Sequence, residues 1–143
     1  MAITSAICNS FKTQILTAIH NFTNGANTFR LALYTSSATL NKSTTTYITA
    51  NEVANGNGYT TKGIALTNVT PALSGDVACC DFSDVSFTSA SFTTRGCLIF
   101  NDTATNDPAV CAIDFGGDKT VSSGTFTIQF PAADASNAIV RIA

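Results

Sequence analysis

Beyond Asn24-Gly25 the apolar residues stop recurring at three- and four-residue steps and begin to recur at every second position. That change of period, from a helix repeat to a strand repeat, constrains the fold more than any other feature. Phe29, Leu31 and Leu33 alternate with Arg30, Ala32 and Tyr34, so residues 28–34 are predicted as a half-buried strand. Further strands are predicted at 59–62, 64–69, 77–82, 85–87, 96–101, 110–115, 124–130 and 139–143, punctuated by Gly, Pro, Asn and Asp. No helix-length pattern falls between them to cross over a parallel sheet. An all-β fold follows: an antiparallel β-sandwich, jelly-roll-like or Ig-like, of about eight strands. The apolar runs around Leu98 and Val110 suit central strands buried on both faces, whereas Phe126, Ile128 and Phe130 suit a one-sided strand.

One segment departs from this pattern. Residues 4–22 carry Ile7, Phe11, Ile15, Ala18, Ile19 and Phe22 on one stripe, with Asn9, Lys12, Thr13 and Thr17 opposite. The stripe predicts a single N-terminal amphipathic helix, started by Thr4 or Ser5 and ended by Asn24-Gly25, about 27 Å long and packed on its own domain. Residues 36–58 are polar, with only Tyr47, Ile48 and Val53 to bury, and are predicted as an extended arm or loop closed by the Asn55-Gly56-Asn57-Gly58 turn. The 143 residues suffice for one domain, 1–143, with one core.

Composition narrows the classes of function. Thr (23) and Ser (13) make up a quarter of the chain while Glu occurs once and Trp never, a balance that favours strands and loops over helix bundles. Seven Lys and Arg against nine Asp and Glu, scattered singly, leave no basic stripe for nucleic acid. The apolar runs at 97–100 and 109–113 are far short of the ~18 residues that cross a bilayer, so no membrane partner is expected. The opening MAITSAICNSFKTQ has no basic stretch before an apolar run, and a secretion signal is not expected. The five cysteines, Cys8, Cys79, Cys80, Cys97 and Cys111, are odd in number and sit among apolar neighbours, which predicts buried free thiols rather than a disulfide framework. The four Asn-x-Ser/Thr sequons, beginning at Asn21, Asn41, Asn68 and Asn101, are what a Thr- and Ser-rich chain produces by chance.

Candidate chemistry is sparse. A Ser-His-Asp or Cys-His site would have to be built on the sole imidazole, His20, whose place in the last turn of the predicted helix reads instead as a solvated side chain favoured by the helix dipole. Asp81 with Asp84, Asp102 with Asp107 and Asp114 with Asp118 are loose pairs that do not match a calcium loop. With one Glu, paired-carboxylate glycosidase chemistry would rest on Asp alone. Absence of CxxC argues against zinc. Gly116-Gly117-Asp118-Lys119-Thr120 lacks the upstream glycine of a phosphate-binding loop and reads as a turn closing a hairpin. The clustered Phe82, Phe87, Phe92, Phe100, Phe115, Phe126 and Phe130 read as core, since a sugar-binding platform normally uses Trp or Tyr. No catalytic, cofactor-binding or metal-ligating residue is singled out, and the chain is not expected to be an enzyme.

Longer strings carry a resemblance. Residues 112–120 (AIDFGGDKT), 124–131 (GTFTIQFP) and 137–143 (NAIVRIA), with 29–37 (FRLALYTSS), 51–53 (NEV) and Gly58-Tyr59, resemble small virion structural proteins of tailed bacteriophages over most of the chain. These strings are structural and contain no chemical signature. The resemblance implies a component of the virion, assembled in the host cytoplasm. Within the particle it implies a capsid decoration, or cement, protein that binds the major capsid protein of the assembled shell, commonly as a homotrimer. A tail, baseplate or fibre component, including one that touches host surface glycans, is the alternative.

Overall fold

The computed structural model of the chain describes residues 2–143. Its elements are β1 (Ala6–Ile7), α1 (Asn9–Leu16), β2 (Phe29–Tyr34), β3 (Ile64–Ala65), β4 (Asn68–Ser74), β5 (Val77–Phe82), β6 (Val85–Asn101), β7 (Ala109–Ile128) and β8 (Val140–Ile142). They form two antiparallel sheets, one in the order β1-β7-β6-β2-β3 and the other β4-β5-β8. This is the all-β sandwich with a helix near its N-terminus that the change of period foretells.

The β6–β7 hairpin is the spine. From Gly96 to Asn101 β6 also pairs with β2, and at Cys111 and Ala112 β7 also pairs with β1. In this inner half the ladder is bracketed on both sides, and Cys97, Leu98, Ile99, Phe100, Val110 and Cys111 are buried. The outer half, Val85–Thr94 of β6 against Lys119–Ile128 of β7, is a two-stranded ribbon with one half-buried face. Residues 88–95 and 116–123, expected as gaps between strands, instead continue the hairpin. Thr93 and Thr120, and Ser86 and Thr127, face each other with hydroxyls 2.9 Å apart, the cross-strand hydroxyl pairing that lets Thr-rich strands persist with little to bury. The Gly116-Gly117-Asp118 sequence therefore closes no hairpin. It is an irregularity inside β7, where the register passes from Asp114↔Gly96 to Lys119↔Thr94, and Gly116 supplies the left-handed φ of +80° that the bulge requires.

The helix is much shorter than its stripe suggests. Ile7 belongs to β1, and α1 ends at Leu16 because Ala18 turns left-handed (φ 60°) and the Ile19 N–H bonds back to the Gln14 carbonyl. Cys8, not Thr4 or Ser5, occupies the start of the helix, without a side-chain cap. Gly25 lies in a separate turn. Phe11 is buried as expected, whereas Leu16 and Ile19 are exposed and Phe22, buried beyond the helix, stacks on Phe29 with ring centroids 4.3 Å apart. Phe82 of β5 lies 5.8 Å from Phe29 and 5.6 Å from Phe130, so a chain of rings joins the two sheets and the helix.

The 36–58 segment is not an extended arm. Ala38, Leu40 and Val53 are buried, and its backbone is sewn to the body: Val53 N–H to Leu33 O, Thr4 N–H to Leu40 O, Tyr47 N–H to Asp107 O and Ala109 N–H to Thr45 O. The Tyr34 hydroxyl donates to Ile48 O at 2.6 Å. Covered in this way, β2 is buried at Ala32 and Tyr34 as well as at Leu31 and Leu33, rather than half-buried.

A polar clasp holds the segment down. Glu52, the only glutamate, accepts from the Tyr47 hydroxyl (2.5 Å), the Tyr59 hydroxyl (2.6 Å) and the Lys62 N–H (2.7 Å). Tyr59 in turn accepts the Leu33 N–H, and burial followed by its bond to Glu52 raises its hydroxyl far above the usual range. The Lys62 ammonium bonds Asp107 (2.7 Å) and Asp102 (2.9 Å) and lies 5.6 Å from the Tyr47 ring centroid. Gly63, just beyond, is obligatory: a Cβ there would meet Leu31 O at 1.8 Å.

Hydrogen bonds to a charged acceptor contribute about 1.5–3 kcal/mol each and are not additive, so Glu52→Ala is expected to cost about 2–4 kcal/mol in urea unfolding. Deleting 43–55 removes the clasp with its backbone bonds and is expected to abolish the cooperative transition. A deletion variant that unfolds like the parent would show that the segment is after all a detached arm.

Candidate interaction surfaces

The titratable side chains weighed as candidate chemistry do not form a common site. Among the described residues no group of three or more His, Cys, Asp or Glu side chains converges. Asp102 and Asp107 do come together, but on the Lys62 ammonium. Asp114 accepts the Gly116 N–H and holds Arg95 at 3.0 Å, and these bonds, the backbone one first, keep its carboxyl below the usual carboxylate range. Asp81 is buried, bonds the Phe82 N–H, and is pushed upward by burial, while Asp84 accepts the Phe130 N–H. Each has a partner within the fold, although the buried Asp81 Oδ2 accepts no hydrogen bond.

His20 is not the solvated side chain its sequence position suggests. The helix ends before it, so the chain turns the ring inward, 6% exposed, against Phe11 with centroids 4.8 Å apart. The Asn101 amide donates to Nδ1 (3.2 Å), which leaves the proton on Nε2 to be donated to Gln14 Oε1 (2.9 Å). Burial pushes its pKa down to about 4. The imidazole is a neutral structural group that joins α1 to the end of β6.

The five thiols are free. Burial raises Cys8 and Cys80 to about 11 and Cys111 to about 12, with Cys97 also well above its ordinary value. All four are protonated at neutral pH, which makes them poor nucleophiles. Cys97 and Cys111, on adjacent strands, are offset in register, Cys97 facing Ile113 and Cys111 facing Ile99.

What remains uncommitted is apolar surface, in two places. The first joins α1 to the small sheet. Leu73, Ala78 and Ile142 form a row across β4, β5 and β8, and Leu16, Leu73, Ile142 and Ile19 are exposed by 85%, 73%, 56% and 43%. Between helix end and sheet lies a groove of about 370 Å³ lined by Ile15, Ala18, Phe22, Pro71, Cys80 and Ile142, with no charged side chain on it. Soluble domains seldom leave large apolar side chains clustered in water without a partner. The second is a groove of about 460 Å³ between β7 and β8, floored by Ile113, Phe115, Phe126, Ile128, Phe130 and Ile139. All six are half-buried, and Phe115 and Phe126 lie 6.2 Å apart. Neither surface was legible as a site, because alternation reports which residues face inward and not whether the inward face is fully covered.

Two measurements follow. The unfolded chain binds a proton at His20 near pH 6.5 and the folded chain only near pH 4, so the stability contributed by the neutral ring is complete above pH 6.5 and is lost as pH falls through this window. The loss is expected to reach about 3 kcal/mol, and His20→Gln should flatten the decline in urea midpoints between pH 6.5 and 4; an unchanged profile would contradict the burial argument. Alkylation under denaturing conditions should label all five cysteines, with intact mass as the readout. A shortfall in labelling under denaturing conditions would reveal a disulfide.

No family model, curated protein or solved structure matches this chain.

Proposed function

We propose that this protein is a non-enzymatic virion structural component of a tailed bacteriophage, a capsid decoration protein that attaches to the major capsid protein of an assembled shell and stabilises it. The observation that carries the reading is the uncharged apolar face of Leu16, Ile19, Leu73 and Ile142, which offers an assembled surface a contact without competing ion pairs. The string resemblance over most of the chain supplies the virion setting. A ligand that binds only the assembled state stabilises that state by mass action, and a rigid β-body suits such a role. Association as a homotrimer belongs to the same reading. A tail, baseplate or fibre station is the second one, and fold alone does not separate them.

Quantitative mass spectrometry of purified particles separates the two. A capsid station requires copies on the order of hundreds per particle, following the symmetry of the shell, whereas a tail station requires a ring-sized number. Leu16→Asp with Leu73→Asp, both exposed, should leave the unfolding transition within about 0.5 kcal/mol of the parent and strip the chain from the particle. Particles that lack the protein altogether, or that take up the double variant normally, would refute the proposal.

A further inference from the structure

The groove between β7 and β8 has a chemistry of its own. Its floor is aliphatic and aromatic, its rim is Thr127, Gln129 and Pro131, and its one charged lining residue is Lys119. The described residues give that ammonium no ion pair: the cations that do pair are Lys62 and Arg95, and Arg95 is what engages the nearby Asp114. Asp118, next in the chain, does not line the groove. At about 460 Å³ it lies within the range of small-molecule sites, which are mostly apolar with a few polar groups that fix orientation. An extended peptide is a poor occupant. It would need an even row of free backbone groups, and the bulge around Gly116 and the left-handed Ser123 break the edge of β7 beside the groove.

We propose that this groove binds a single-chain anionic amphiphile, a medium-chain carboxylate, with its alkyl chain on the Phe115–Phe126–Phe130 floor and its carboxylate paired with the Lys119 ammonium. The apolar floor supplies affinity in proportion to the methylenes it takes from water, and the lone cation fixes which end of the ligand lies at the rim. The site is separate from the Leu16–Leu73 face and stands or falls independently of the virion reading.

Isothermal titration of the intact chain with monomeric octanoate, decanoate and dodecanoate tests it. Saturable binding is expected, tightening about fourfold for each added methylene. Lys119→Gln, an exposed change that does not threaten folding, should weaken the carboxylates about fivefold and leave 1-decanol unchanged. In the unaltered chain, amide shifts caused by dodecanoate should concentrate at Ile113, Phe115, residues 126–130 and Ile139. Absence of saturation, an equal loss of decanol binding in the Lys119 variant, or a response only above the micelle concentration or only to lipid vesicles would overturn the assignment.

Discussion

The pairing of β6 with β7 is the interaction on which the rest of the structure depends. Each strand is long enough to belong to two environments. Over their inner halves they are flanked by β2 and β1, covered on both faces, and carry the apolar runs that fill the core. Over their outer halves they pair only with each other, and the 57–59 turn covers Phe87 and Ala90 of β6. One hairpin thus divides the molecule into a solid body and a ribbon whose inner face is incompletely covered, and the β7–β8 groove lies along that ribbon. Bulges at Ser89, Ser123 and Gly116 twist the ribbon and interrupt its edge, a common way for an exposed strand to avoid pairing with its neighbours.

The body is closed by polar rather than apolar means. A segment as hydrophilic as 36–58 cannot be held by hydrophobic burial alone, and a half-buried carboxylate needs donors in place of the water it loses. Glu52 meets three, two of them tyrosine hydroxyls whose rings pack on Phe87 and Phe100. The clasp therefore links the longest loop to β2 and, through Lys62, to the loop between β6 and β7. Burial of His20 performs a similar service at the same end of β6, through Asn101.

What the sequence revealed divides along physical lines. Residues 29–34, 97–101 and 109–113 announced themselves because burial dictates their side chains, and burial leaves a period. The helix was overextended because Ile15, Ile19 and Phe22 keep a helical spacing although Ala18 breaks the backbone, and hydrophobic spacing does not report a left-handed φ. Residues 88–95 and 116–123 read as gaps because strands exposed along much of their length need not alternate. Glu52 escaped notice because its partners, Tyr47, Tyr59 and Lys62, converge only after the loop has folded back, although a single Glu between two tyrosines in a polar run is a signal worth heeding. The inward turn of His20 likewise follows from where the helix ends. The proposed virion setting rests on string resemblance alone.

One hairpin thus carries both a rigid body and a partly uncovered ribbon. Native-state hydrogen exchange of the isolated chain tests this division most directly, since protection reports the free energy of opening amide by amide. Amides of Leu98–Asn101 and Val110–Ala112 should exchange only through global unfolding, while those of Lys119–Ile128 exchange through local openings of much lower free energy. Equal protection along the whole length of β6 and β7 would contradict the division and with it the reading of the ribbon face as open for a ligand.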